Sequence, residues 1–284
     1  MKWTHARGEL GLDRCLVMGI INRTPDSFYD GGRMDRAEVV AHGDRLLDEG
    51  ADILDIGAVK AGPGAPVSQD EEYARLLPVV EALAETRAIL SVETARPPVA
   101  RAAVEAGAAI VNDVSGLADP GLAEVCAATG AGLIVMHHGG QIRGRPRHPR
   151  YDDIVSEVVS SWEEMVATAT GAGVDRSSIV VDPGLDFGKT TFHSLELVRR
   201  LPELAEFGSP VLVAASRKDV VGETLALPPP ERLEGSLALV ALSVWLGAAA
   251  VRVHDVRASV RATRMVESVR GDRAPEAAVR GLWD

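Results

Sequence analysis

The chain has 284 residues, a formal net charge of −11, 46% hydrophobic residues and only 4% aromatics. That length suffices for one core built without disulfides or metals, and the acidity argues against nucleic acid or an anionic membrane as partner. No charged N-terminal region leads into a long apolar run, and no apolar stretch reaches the roughly 18 residues of a membrane span, so a cytoplasmic protein is expected. The two cysteines, Cys15 and Cys126, lie on apolar segments. Two buried thiols in a reducing compartment are expected there, with a disulfide as the alternative.

Short apolar runs alternate with longer amphipathic stretches. The first strand is predicted at Leu16–Ile21, followed by a helix over Ala37–Glu49 that stops at Gly50. Next come a strand at Ile53–Ile56, a helix over Gln69–Glu85, a strand at Ile89–Val92 and a helix over Pro97–Ala106 that stops at Gly107. Further strands are predicted at Ile110–Asn112, Leu133–Met136, Ile179–Val181, Val211–Ala215 and Ala250–Val253, with a helix over Arg232–Trp245. These strands are continuous apolar runs, as parallel strands covered on both faces require. Eight βα units in a chain slightly above ~250 residues predict a closed (β/α)8 TIM barrel forming a single domain over 1–284, its core at about 15–270. An open doubly wound sheet is the alternative. The basic stretch 143–150 reads as a loop, and Gly271–Asp284 as a helix exit and tail.

In such a barrel the C-terminal ends of the strands face one mouth, and that mouth carries the chemistry. Every predicted strand end carries polar groups: Asn22 with Thr24-Pro25-Asp26-Ser27, Asp55 with Lys60, Glu93, Asn112-Asp113, His137-His138, Asp182, Ser216-Arg217-Lys218, and Arg252 with His254. Singly, each is an ordinary turn or cap residue; eight ends on one rim indicate a functional site. Asp55, Glu93, Asn112 and Asp182 suit a planar heterocycle rich in N–H donors. Asn22, Lys218, Arg252 and His254 suit an anion such as diphosphate, and Asn22 is also a candidate Mg2+ ligand. Adjacent His137 and His138 cannot face one point from a regular strand, so a zinc site is not expected.

The run Val17-Met18-Gly19-Ile20-Ile21-Asn22-Arg23-Thr24-Pro25-Asp26-Ser27-Phe28 resembles the first signature of the dihydropteroate synthase family. Asp182-Pro183-Gly184-Leu185-Asp186-Phe187-Gly188-Lys189, Ser216-Arg217-Lys218 and Arg252-Val253-His254-Asp255-Val256 resemble its later motifs. The likeness runs from about residue 15 to 270. It implies a transferase that joins 6-hydroxymethyl-7,8-dihydropterin diphosphate to 4-aminobenzoate and releases pyrophosphate with Mg2+. By resemblance Asn22 meets the metal and diphosphate, and Asn112, Asp182 and Lys218 hold the pterin. Arg252 and His254 hold the diphosphate, and Phe187 lines the aminobenzoate side. The resemblance also implies a homodimer formed through late helices. Pterin-barrel domains of methyltetrahydrofolate methyltransferases are a further branch, but the Thr-Pro-Asp-Ser-Phe and Ser-Arg-Lys runs favour the synthase side.

Four positions depart from the family pattern. Glu93 replaces an Asp, and Lys60-Ala61-Gly62 stands where Ser-Thr-Arg is usual. Asp219 replaces the Ser after Ser-Arg-Lys, and Asp186 replaces a Gly. The last two are negative charges on the side that the resemblance assigns to aminobenzoate. Asp219, beginning the seventh helix, is expected to occupy its N-terminal field and repel a second carboxylate. A diverged paralogue follows as the alternative, one that binds pterin but uses 4-aminobenzoate poorly, takes another amine, or acts without catalysis.

Overall fold

A computed structural model describes residues 1–22, 29–30, 33–59, 67–140 and 148–280. The chain opens with an antiparallel hairpin of β1 (Lys2–His5) and β2 (Gly8–Gly11), which sequence patterning did not indicate. Barrel strand β3 (Leu16–Asn22) follows, then two short paired strands, β4 (Tyr29–Asp30) and β5 (Arg33–Met34). The other barrel strands are β6 (Ile53–Gly57), β7 (Ile89–Glu93), β8 (Ile110–Asp113), β9 (Gly132–Met136), β10 (Ile179–Asp182), β11 (Leu212–Val213) and β12 (Ala250–Val253).

These eight form one parallel sheet in the order β10-β9-β8-β7-β6-β3-β12-β11. A parallel bridge between Val181 and Val211 joins the two ends and closes the cylinder. The helices surround it: α1 (Arg36–Asp48), α2 (Gln69–Ala84), α3 (Pro97–Glu105), α4 (Gly121–Thr129), α5 (Ile154–Gly171), α6 (Thr191–Arg199), α7 (Leu201–Ala205), α8 (Asp219–Leu225), α9 (Leu233–Trp245) and α10 (Val256–Arg270). The eight-strand expectation therefore holds. One strand is shorter than predicted: β11 stops at Val213, because Ala214–Ala215 already bend into the Ser216-Arg217 turn that the site uses. Helices α1 and α3 end at Gly50 and Gly107, both with positive φ (103° and 118°), as their sequence position indicated.

Two apolar layers result. Alternate residues of the strands face outward under the helices, while Leu16, Met18, Ile53, Ile110, Ile134, Val180 and Leu212 fill the interior. The hairpin inserts Trp3 into this inner cluster, fully buried, its indole N–H donating to Ser178 O at 3.1 Å. Trp3 thus plugs the end of the barrel opposite the mouth. Trp3→Ala should cost about 3–5 kcal/mol, read as a lower urea midpoint, while leaving ligand binding at the mouth intact.

No helix among the described residues is long and apolar enough to cross a membrane. Cys15 and Cys126 are both buried and unpaired, and burial pushes the Cys126 thiol up to about 12.

Candidate active site

The strand ends deliver their polar residues into one buried cluster. Asp55 leaves β6 and Glu93 leaves β7, with Arg252 reaching across from β12. Its Nε donates to Asp55 Oδ2 at 2.6 Å and its Nη2 to Glu93 Oε2 at 2.8 Å. Asn112, from β8, donates its amide to the same Asp55 oxygen at 3.2 Å. Asp55 is fully buried, yet its Oδ1 has no hydrogen-bond partner among the described residues. A buried, unpaired carboxylate oxygen is costly, so this one is a ready acceptor for a ligand N–H.

Burial pushes the Glu93 carboxyl above its ordinary range, with Arg252 opposing and Asp55 adding to the rise. Burial works against the Arg252 charge as well, but Asp55 and Glu93 override it and hold the guanidinium more firmly protonated than usual. The carboxylates and the cation therefore depend on one another.

Asp182, at the end of β10, is the third buried carboxylate. Its Oδ1 accepts from Gly184 N–H at 2.7 Å, which folds the following loop back over the strand. Burial raises its pKa, and Lys218 is the chief opposing charge. Lys218 comes from the turn after β11. Its ammonium donates to Leu185 O at 2.9 Å and lies 4.9 Å from the centre of the Phe187 ring, a cation–π contact. Burial lowers the Lys218 pKa and Asp182 opposes this.

The turn carrying Lys218 is clasped from behind. Arg217 has a left-handed φ of 56° and forms a two-pronged ion pair with Asp255, 2.8 Å on each prong. Ser216 Oγ accepts from His254 N–H and lies 3.1 Å from His254 Nδ1. The β11 and β12 ends are thereby locked together, with His254 exposed at the rim.

Asp219 is the first residue of α8, as expected, and its carboxylate pairs with Arg232 at 3.2 Å. A second carboxylate, that of Asp186, also enters this turn. Held at a left-handed φ of 70°, it places Oδ2 3.0 Å from Val220 N–H and accepts from Ser194 Oγ at 3.1 Å on Oδ1. Part of the negative charge on this side of the mouth thus comes from a residue 34 positions before Val220.

Asn22 closes β3 opposite Gly57, but its side chain lies outside the described residues. So do Thr24, Pro25, Asp26, Ser27, Lys60, Ala61, Gly62 and positions 141–147 of the basic loop. His137 and His138 diverge, the first packing on Tyr151 with ring centres 6.1 Å apart and the second against Gly116. Sequence reasoning assigned no role to Lys189, whose buried ammonium donates to three backbone carbonyls of this region. The motif containing it was the only signal.

A closed (β/α)8 barrel whose mouth holds three buried carboxylates, an amide, a lysine and an arginine belongs to the class of barrels that bind a nitrogen-rich, charged small molecule. The chain matches the "pterin binding enzyme" family over residues 18–254, and it belongs to that family. It is 48% identical to the "Inactive dihydropteroate synthase 2" of Mycobacterium leprae, over 95% of this chain and 96% of that one. It is 41% identical to the dihydropteroate synthase of Escherichia coli (strain K12), over 92% and 93%. The solved structure of Xanthomonas albilineans dihydropteroate synthase with 4-aminobenzoic acid superposes with a TM-score of 0.87 at 42% identity, covering 97% of this chain and all of that one.

Proposed function

We propose that the mouth binds 6-hydroxymethyl-7,8-dihydropterin diphosphate and supports displacement of its pyrophosphate by an amine, the chemistry of the synthases this chain resembles. The carrying observation is the buried acceptor set. Among the described residues Asp55 Oδ1 has no partner and Asp182 is bonded through Oδ1, so both offer oxygens to the ring N–H and amino groups of a pterin. Asn112 and Lys218 complete a polar edge that would exclude an apolar ring. In the reaction the amine nitrogen bonds to the exocyclic methylene carbon and the carbon–oxygen bond to the diphosphate breaks. Pyrophosphate leaves with the electron pair, and the amine loses a proton to solvent. Since Nε and Nη2 of Arg252 are committed to carboxylates, the leaving group falls to its remaining nitrogen and to His254 at the rim.

Mg2+ suits this reaction by neutralising diphosphate charge. Among the described residues no group of three His, Cys, Asp or Glu side chains is set to hold a metal. By resemblance Asn22 is the residue that would meet an ion brought by the diphosphate, and Mg2+ would there offset the charge of the leaving group.

A second reading is favoured by Asp186. Its carboxylate already takes the Val220 N–H beside Lys218 and Phe187. An acceptor carrying its own carboxylate would meet a fixed like charge there, so 4-aminobenzoate should be a poor partner and a neutral or cationic amine a better one. The test is pyrophosphate release by the purified protein with the pterin diphosphate and Mg2+, measured with 4-aminobenzoate, with an uncharged aryl amine such as aniline, and with no amine. Release that depends strongly on 4-aminobenzoate supports the synthase reading over the divergent one. Release only with an uncharged amine supports divergence, and release with neither amine contradicts the proposed transfer.

We also place the protein in the cytoplasm, as one domain, consistent with its unpaired buried thiols. It is expected to act as a homodimer. Packed helices α9 and α10 expose Leu242 and Trp245 on one and Met265 and Val269 on the other, each 48–63% exposed. These exposed apolar side chains on neighbouring helices support pairing with a second copy. Trp245→Glu should convert the dimer to monomer in sedimentation velocity without lowering the monomer's helical content.

A further inference from the structure

The loop after β10 and the loop after β9 interlock more tightly than the pocket's own contacts explain. A side chain on Gly184 would meet His137 O at 2.1 Å, and one on Gly188 would meet His138 O at 2.5 Å and Gly139 Cα at 2.7 Å. Both glycines have positive φ, 66° and 61°. The two backbones are thus in direct contact. Asp182 O accepts from His137 N–H at 3.0 Å, and Gly188 O accepts from the Tyr151 hydroxyl at 2.8 Å.

At the centre of this contact lies Lys189, only 6% exposed. Its ammonium donates to His137 O and Gly184 O at 3.0 Å and to Phe187 O at 2.9 Å. Three acceptors match the three protons of an ammonium. Between Gly184 and Phe187 in the chain, Leu185 O accepts from Lys218. Two lysines therefore divide the inward carbonyls of one short loop, and only one of them, Lys218, is in the pocket.

We propose that Lys189 is a positioning residue: it pins the loop after β10 onto the loop after β9 and so sets the places of Lys218, Phe187 and Asp182 in the pocket. Without the pin, His137 O and Phe187 O lose the donor they have, Gly184 O keeps the Phe187 N–H, and Lys218 is the ammonium already bonded to the same loop. The loop would then draw Lys218 away from the ligand. Asp182 would shift too, because its Oδ1 is fixed by the N–H of the same Gly184. This role rests on the pterin-binding reading for its functional consequence but not for its structural one.

The experiment compares wild type with Lys189→Met, which keeps the side chain's length without its donors, and Lys189→Gln, which keeps two donors. Amide hydrogen exchange is followed across the chain. Binding of 6-hydroxymethyl-7,8-dihydropterin diphosphate with Mg2+ is measured by calorimetry. Lys189→Met should accelerate exchange in 137–140 and 183–189 while the barrel strands stay protected. It should weaken the probe by about 10–100-fold, the scale on which small misplacements in a site act. Lys189→Gln should fall between the two. If Lys189→Met does not fold, Lys189→Gln alone decides by the same two readouts. Unchanged exchange in both loops would overturn the proposal, as would exchange that rises uniformly over the chain. If wild type does not bind the probe, the pterin reading fails, and the loop exchange still decides the role of Lys189.

Discussion

Asp186→Gly should raise the efficiency with which 4-aminobenzoate is used by about 10–100-fold, equivalent to roughly 1–3 kcal/mol of relieved repulsion at the few-ångström distances and effective dielectric of such a site. The variant removes the carboxylate that holds Val220 N–H and Ser194 Oγ, and returns that donor to the mouth. Glycine accepts the φ of 70° without the strain an L side chain bears there. The stability gained in this way offsets the hydrogen bonds lost, each worth about 1 kcal/mol, so the melting temperature should move little. The measurement is pyrophosphate release against 4-aminobenzoate concentration at fixed pterin diphosphate. Asp219→Ser should do much less, because Arg232 draws that carboxylate aside. Equal gains from both variants would mean that Asp219 also faces the acceptor.

Arg252→Met should be the most destabilising single change in the site, by about 3–5 kcal/mol at neutral pH. It strips the counter-charge from two buried carboxylates, Asp55 and Glu93, that are otherwise held 2.6 and 2.8 Å from the guanidinium. The sign of the pH dependence follows from Glu93. Burial already raises its pKa, and Arg252 is the main influence holding the rise back. In the variant the folded protein binds a proton that the unfolded chain releases, from the ordinary Glu range upward. Stability is then lost as pH rises through that window and recovers on acidification. Urea unfolding at pH 7.5 and pH 5.5 should therefore show a smaller gap from wild type at the lower pH. Adding Glu93→Gln to Arg252→Met should restore part of the loss at pH 7.5. A gap independent of pH would mean that the guanidinium acts by packing alone.

The barrel was legible because its strands are short, apolar on both faces and punctuated by glycines such as Gly50 and Gly107, which the structure needs at positive φ. The N-terminal hairpin was not. Lys2–His5 has one large apolar residue, and the burial of Trp3 depends on a cluster whose members come from strands as distant in sequence as β12. At the mouth, reading the residue after each apolar run found Asp55, Glu93, Asn112, Asp182, Lys218 and Arg252, since barrel geometry sends all strand ends to one place. What it missed was pairing. Charge sign alone grouped Arg252 with the anion-holding residues, whereas the fold commits two of its nitrogens to Asp55 and Glu93. Likewise Asp219 was legible at the start of α8, but the second carboxylate at that turn, Asp186, was not, because a loop from β10 brings it there. Lys189 was invisible as a functional residue because its partners are backbone carbonyls, which no side-chain pattern reports.

The central claim is that the buried carboxylate set recognises a pterin. The most direct measurement is calorimetric titration of wild type and Asp182→Asn with 6-hydroxymethyl-7,8-dihydropterin diphosphate and Mg2+. The expected result is saturable binding at one site per chain, weakened by about 1.5–3 kcal/mol in the variant as one charge-assisted hydrogen bond is lost. No binding by folded wild-type protein, or equal affinity in the two proteins, would contradict it.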